Sequence, residues 1–575
     1  MQLVRRYRIS ALCCAFAVLL CELIAHPFAE MGISDDGPYI LVAQNLAATG
    51  HIVFNGWITA MLGWQLYLAA AFIKLFGVSF TSARMSTLLV SMCLTFVLQR
   101  TMVRAGIGER NATIGTLALV LSPLYLLLSV TFMTDITGLF ALVTCIYGCI
   151  RALQSHTTRA AIAWLSFAVA ANAIFGTSRQ IAWLGILVIV PSTLWLLRPQ
   201  RRIVIGGSVA TLAGVLFMFA CMHWFSLQPY TAPAHVIPHP VSGKDMVWGL
   251  SNFFLDIPLL LISVVALFLP ELGKMRRRNL AIFAALLLAY LLLALHPVLL
   301  RNIIVLEPAM RGGGDWVGIH GIHEGPQMQG YRPILLNRKM RILLTIVSFG
   351  GLAGIFVSLL RTFRKPSVAA PPAAPSWQQL LTLVGPFTIV YSLFLIPRAA
   401  SASIFDRYAL PLLVVALLCL LRYYQERVQP RLPAAAIVLV AIVAIYGTAS
   451  VHNQFSLYRA RLALAAELRS AGVPDTSVDY GFEYNFSTEL RYADHINEDS
   501  IAPASAYVPQ PPLPPGPCQM TWYDKTPHIH AIYAASFEPN ICYGPAPFAP
   551  VHYSRWLSRI PGTLYVVRYT APSTP

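Results

Sequence analysis

The stretch ISALCCAFAVLLCELIAHPFAEMGISDDGPY, Ile9 to Tyr39, decides the fold. Its first twenty residues, Ile9 to Phe28, form an apolar run long enough to cross a hydrocarbon core of about 30 Å as a helix. Two adjacent carboxylates, Asp35 and Asp36, follow one or two turns beyond its end. Similar runs recur along the 575 residues, mean hydropathy is +0.63, and charged residues make up only 11%. That is about half the usual globular share, too little polar surface for a soluble chain of this length. The reading is an all-α polytopic membrane protein. The first run is followed by no clean small-x-small cleavage pattern and by many further spans, so it reads as a retained signal-anchor.

The formal charge of +17 is distributed in bursts at alternate span ends: Arg5, Arg6, Arg8; Arg100, Arg104, Arg110; Arg198, Arg201, Arg202; Lys274 to Arg278; Arg361 to Lys365; Arg422 to Arg431. Lys and Arg held on the cytoplasmic side produce this pattern. The charge therefore reports topology and implies no nucleic-acid partner. Anchoring the bursts inside predicts about thirteen spans, near 9–28, 80–103, 112–130, 136–152, 160–177, 181–197, 203–225, 251–270, 279–300, 342–360, 378–397, 408–424 and 432–450. The N-terminus is then cytoplasmic and the C-terminus outside. The run Met61 to Phe76 is too short to span comfortably and carries Lys74, so it reads as a helix lying at the outer interface.

This divides the chain into a transmembrane domain, 1–450, whose first outer loop is 29–79, and a polar, proline-rich tail, 451–575. The run GTLYVVRY, Gly562 to Tyr569, has strand character, so the tail reads as a small extracytoplasmic α/β domain. Eight cysteines lie in apolar spans, where a thiol behaves as a small hydrophobe. Only Cys518 and Cys542 lie in the tail, and in an oxidising compartment they are expected to form a disulfide.

Polar groups next to spans gather on one aqueous side: Asp35, Asp36, Arg84, Asp135, Arg179, Arg398, Asp406 and Arg407. A carboxylate there can serve as a general base and an arginine can hold a phosphate through its planar fork. Each has a plainer reading. Asp36 can be a solvated turn residue, Asp135 a helix cap, and Arg84 and Arg179 can snorkel to lipid headgroups. His320, His323 and Glu324 have metal-like spacing but sit in a glycine-rich loop, and no CxxC is present.

The order of these groups is more specific than any one of them. Asp35, Asp36, Tyr39 and Gly50 are followed by an interfacial helix, then Phe76, Gly77, Ser79 and Arg84 at the entry to the second span. Pro123 in the third span leads to Thr134-Asp135, and Asp406-Arg407-Tyr408 with Pro411 comes late. This arrangement resembles the C-type membrane glycosyltransferases related to protein O-mannosyltransferases and lipid A aminoarabinose transferases, best over residues 30–200. Two features depart from the family pattern. GWITAMLGW stands where a His-Pro-Pro usually precedes the interfacial helix, and Arg179 stands where Lys is frequent. The tail stretch VDYGFEYN also resembles one found in relatives.

The resemblance implies a sugar transferase in the inner, cytoplasmic membrane, using a polyprenyl-phosphate sugar donor on its outer face. Asp35 or Asp36 would deprotonate the acceptor, Asp35 by preference, with Asp135 in support. Arg84, Arg179 and Arg407 would converge on the donor phosphate. The second carboxylate leaves a divalent metal ion open as a partner, and the sugar and acceptor stay open. A transporter or flippase, or a non-catalytic assembly protein, is the alternative. Transporters place polar groups near the midplane on broken helices and show repeated halves, and neither is visible in this sequence.

Overall fold

The computed structural model describes residues 2–57, 61–232, 242–295, 317–318, 320–322, 328–362, 374–400, 404–513 and 515–571. His323 and Glu324 of the histidine-rich loop lie outside the described residues. The body is built from α1 (Gln2–Ala25), α2 (Asp36–Thr49), α3 (Trp64–Phe76), α4 (Phe80–Arg104), α5 (Glu109–Val120), α6 (Pro123–Ser129), α7 (Thr134–Leu153) and α8 (Thr158–Phe175). It continues through α9 (Val190–Leu196), α10 (Arg201–Ser226), α11 (Gly243–Leu260), α12 (Ile262–Val265), α13 (Arg277–Leu295), α14 (Arg338–Thr362), α15 (Trp377–Ala400), α16 (Leu410–Tyr423) and α17 (Ala434–Ser470).

Among the described residues, nine helices are long and apolar enough to cross a membrane. They are α1, α4, α7, α8, α10, α14, α15, α16 with its flanking turns, and α17. The bent pair α5–α6 makes ten if counted as one span. This is fewer than the thirteen expected: the run 279–300 extends beyond the described residues, and three other runs are broken for local reasons. The run 112–130 bends by 71° where Ser122 caps α6 and Pro123, which has no N–H to donate, takes its first position. The run 181–197 winds as a 3₁₀ turn, a π turn and the short α9. The run 251–270 breaks into α11, α12 and a 3₁₀ segment, Ala266–Lys274, with Pro258 and Pro270 inside.

α7 lies at the centre, largely buried between α4 and α8, whereas α10 is mostly exposed, as expected of a helix that faces lipid. The short Trp64–Phe76 helix, α3, carries a buried face against α4. At the head of α4 the Ser79 hydroxyl accepts from Ser82 N–H, and Glu30 from the preceding loop accepts from Phe80 N–H at 2.7 Å. The loop 29–36 is thereby tied to the helix that carries Arg84.

α17 runs through the expected 450/451 boundary without a break. Its 37 residues extend about 55 Å at 1.5 Å per residue, nearly twice the hydrocarbon thickness. The last span and the start of the tail are therefore one helix. The tail adds α18 (Phe482–Ala493) and a four-stranded sheet. With the two short strands β1 (Val317–Gly318) and β2 (Gly321–Ile322) ahead of them, its strands are β3 (Val478–Asp479), β4 (Tyr533–Ser536), β5 (Val551–Tyr553) and β6 (Gly562–Arg568). The order is β3-β4-β6-β5, with β3 parallel to β4 and the other pairs antiparallel. β6 is the strand-like run read in the sequence. Cys518 and Cys542 are joined in a disulfide with Cα atoms 5.2 Å apart.

Candidate active site

The two adjacent aspartates have opposite surroundings. Asp36 opens α2 and is fully buried. Its Oδ1 accepts from Ile33 N–H at 2.6 Å and its Oδ2 from Phe132 N–H at 3.1 Å. Arg84 closes on both oxygens, through Nε at 2.8 Å and Nη2 at 3.1 Å. The rest of that guanidinium goes to backbone: Nη1 donates to Ala29 O and Nη2 also to Met31 O. The pair ties the first loop, α4 and the turn before α7 into one block. Arg84 therefore does not join the other two arginines, contrary to the expectation of three converging guanidiniums, because Asp36 and two carbonyls use its donors.

Asp35 lies at the open end, its side chain 24% exposed. It accepts from Trp57 Nε1–H at 3.1 Å and faces Arg407 Nη2 at 3.8 Å. Arg407, in the turn leading into α16, also faces Asp135 Oδ2 at 3.8 Å through Nη1. Asp135, in the first turn of α7, pairs with Arg179 Nη1 at 3.0 Å, and the same nitrogen donates to Thr134 Oγ1. Arg179 lies over the Tyr408 ring at 5.1 Å, and Arg407 over the Phe405 and Tyr408 rings. Asp35, Arg407, Asp135 and Arg179 thus form one chain of alternating charge from four distant parts of the sequence. A cleft beside it is lined by Asp135, Gly138, Arg179, Tyr391, Arg407 and Pro411. Gly138 is required there, since a Cβ would come within 2.9 Å of the Arg179 side chain.

Trp57 is the functional neighbour that motif reading missed. It stands in the stretch GWITAMLGW that departs from the family pattern, and that departure was its only signal. The tail holds it: Phe486 meets its ring edge-to-face at 4.5 Å, with Phe482 at 5.7 Å and Trp522 at 6.3 Å. Phe482 and Phe486 come from α18, whose position is set by the VDYGFEYN stretch. Gly481 takes φ +88°, a conformation that favours glycine, and its N–H donates to Asp479 Oδ1. Asn485 donates to the same oxygen, and its own Oδ1 accepts from Tyr480 N–H. Burial pushes the Asp479 carboxyl above its ordinary value, while hydrogen bonds from Gln329, Asn485 and Gly481 pull it down. Glu483 is fully engaged with α17, accepting from Tyr458 Oη at 2.7 Å and Arg461 Nη1 at 2.9 Å.

Among the described residues no three His, Cys, Asp or Glu side chains gather as a metal site, and Asp36 and Asp135 already face guanidiniums.

Residues 64–226 match the family model of dolichyl-phosphate-mannose-protein mannosyltransferases. The matched segment runs from α3 to α10 and carries Arg84, Asp135 and Arg179, while Asp35, Asp36 and Arg407 lie outside it. Among curated proteins none matches. Among solved structures, ArnT from Cupriavidus metallidurans bound to undecaprenyl phosphate is 14% identical, covering 96% of this chain and 97% of that one, with a TM-score of 0.41. The Archaeoglobus fulgidus oligosaccharyltransferase in its apo form is 16% identical, covering 91% of this chain and 64% of that one, with a TM-score of 0.40.

Proposed function

We propose that the protein is a membrane glycosyltransferase that moves a sugar from a polyprenyl phosphate to an acceptor hydroxyl or amine at the outer face of the cytoplasmic membrane. The observation that carries this reading is the charge chain Asp35–Arg407–Asp135–Arg179 beside a cleft at the membrane end of several spans. The family match over residues 64–226 supports the donor class, a lipid-phosphate-linked sugar. The N-terminus is then cytoplasmic and the tail outside, as the basic bursts require.

Asp35 is the base. It is the accessible carboxylate of the adjacent pair, whereas Asp36 is sealed by Arg84 and two backbone N–H groups. Asp35 takes the acceptor proton as the acceptor atom bonds to the anomeric carbon. The bond from that carbon to the phosphate oxygen breaks, and the polyprenyl phosphate leaves with the electron pair. Arg407 and Arg179 receive the growing charge on the phosphate through charge-assisted hydrogen bonds. Asp135 holds both guanidiniums in place before the donor arrives. A phosphate leaves without protonation, so one carboxylate suffices, and a single displacement inverts the anomeric carbon. The tail, through Phe486 and Trp57, orients Asp35 and borders the space where an acceptor enters.

The test is transfer from a lipid-linked sugar by purified protein in lipid nanodiscs, comparing the native chain with Asp35→Asn. Loss of transfer with retained donor binding is expected. Undiminished transfer would remove Asp35 as the base.

A further inference from the structure

The β5–β6 loop of the tail, Ser554 to Pro561, exposes three large apolar side chains. Trp556 is 37% exposed, Leu557 56% and Ile560 72%, with Arg555 and Arg559 interspersed. An independent set of contacts fixes the depth of this loop. The Trp556 ring stacks on His452 of α17 at 3.9 Å, and Asn453 pairs with both its N–H and its C=O. His452 in turn is hydrogen-bonded through Nδ1 to the carbonyl of Ala25, the last residue of α1. His452 stands 18 residues into α17, about 27 Å from its start, close to the thickness of the hydrocarbon core. Two spans thus end at one level, and Trp556 sits at that level.

An aromatic ring with one polar edge, flanked by arginines, suits the headgroup region, where Trp anchors and Arg meets lipid phosphate. The loop backbone is set for this role. Leu557 has φ +60°, a strained conformation for a bulky side chain, and strain of this kind clusters where the surroundings dictate a conformation. Arg555 reaches across to Pro333 O, beside Ile334, which is itself 56% exposed just before α14 begins. The apolar groups therefore continue from one chain segment to the next along the same edge.

We infer that this loop is a membrane anchor: Trp556, Leu557 and Ile560 insert among the lipids of the leaflet next to the site, and Arg559 faces lipid phosphates. The tail is then held to the bilayer at two places, by the continuous helix α17 and by this loop. The proposed occupant is the lipid headgroup layer of the protein's own membrane. Its physical basis is independent of the transferase reading.

The test places the photoreactive residue p-benzoylphenylalanine in the full-length protein, as Leu557→p-benzoylphenylalanine and Ile560→p-benzoylphenylalanine. Gln510→p-benzoylphenylalanine, at a half-exposed position of the tail, is the control. The proteins are irradiated in phosphatidylglycerol–phosphatidylethanolamine nanodiscs and analysed by intact mass. Lipid adducts at 557 and 560, and their loss at 510, are expected. No lipid adduct at 557 and 560, or an adduct with a second copy of the chain instead, would overturn the anchor.

Discussion

Asp35 and Asp36 share a peptide bond and differ in almost everything else. Asp36 and Arg84 are 0% and 3% exposed, and the pair is completed by four backbone groups. Asp35 and Arg407 meet at 3.8 Å, longer than a hydrogen bond, with the Asp35 side chain 24% exposed. The difference separates a fastener from a site. A saturated buried pair holds shape because breaking it strands a charge. A loosely paired, half-open carboxylate can exchange partners with an incoming acceptor. The left-handed φ of +54° at Ser34 lies just ahead of the pair, where the chain turns so that two consecutive carboxylates point to different places.

Exchanging the two outcomes would break this comparison, so the largest effects should come from these residues. Asp35→Asn should lower transfer by about 10²–10⁴-fold with an unchanged melting temperature, as expected for loss of a positioned proton acceptor. Asp36→Asn should instead strand Arg84 and destabilise the fold by about 3–5 kcal/mol, read as lower yield and an earlier thermal transition in detergent. If Asp36→Asn melts normally and Asp35→Asn does not, the roles are reversed.

The arginines sharpen the same contrast. Arg407→Ala should reduce transfer by about 10²–10³-fold, the usual loss when one donor to a developing oxyanion is removed. Arg84→Ala should act on stability, leaving donor affinity of the folded fraction near native. Isothermal titration with polyprenyl phosphate would separate the two.

A smaller effect is expected at the junction of the two regions with the tail. Trp57→Phe keeps the ring packing on Phe486 but removes the N–H that Asp35 accepts. A hydrogen bond to a charged group contributes about 1.5–3 kcal/mol, so transfer should fall by roughly one to two orders of magnitude. Native steady-state rates for Trp57→Phe would show that the tail does not orient Asp35.

The smallest effect on catalysis should follow from opening the disulfide. Cys542→Ser removes a cross-link of 24 residues' separation. In the chain-entropy model this lowers tail stability by roughly 3 kcal/mol. Hydrogen exchange should rise in β4 and β6, while transfer at low temperature stays within a few-fold of native.

The membrane class and the gathering of charge near span ends, which includes the four linked residues Asp35, Asp135, Arg179 and Arg407, are legible in the sequence, because burial in lipid forbids stray charges. The spans around Pro123, Pro258 and Pro270 were less legible. Hydropathy averages over a window and is blind to a bend produced by one missing N–H. The motif places Arg84 at the phosphate, but its partners are the Asp36 carboxylate and the Ala29 and Met31 carbonyls, and carbonyl partners leave no trace in residue identity. Trp57 is not legible in the sequence because its significance depends on Phe482, Phe486 and Trp522, more than 400 positions away.

By itself, then, the sequence determined that this chain lives in a membrane, where its charges gather and which cysteines can pair, since those follow from transfer energies and local order along the chain. Only the tertiary structure decided which carboxylate is sealed and which is open. Adjacent residues with the same side chain have the same intrinsic chemistry, and what distinguishes Asp35 from Asp36 is the set of distant groups that folding delivers to each: Arg84 and Phe132 N–H to one, Trp57 and Arg407 to the other.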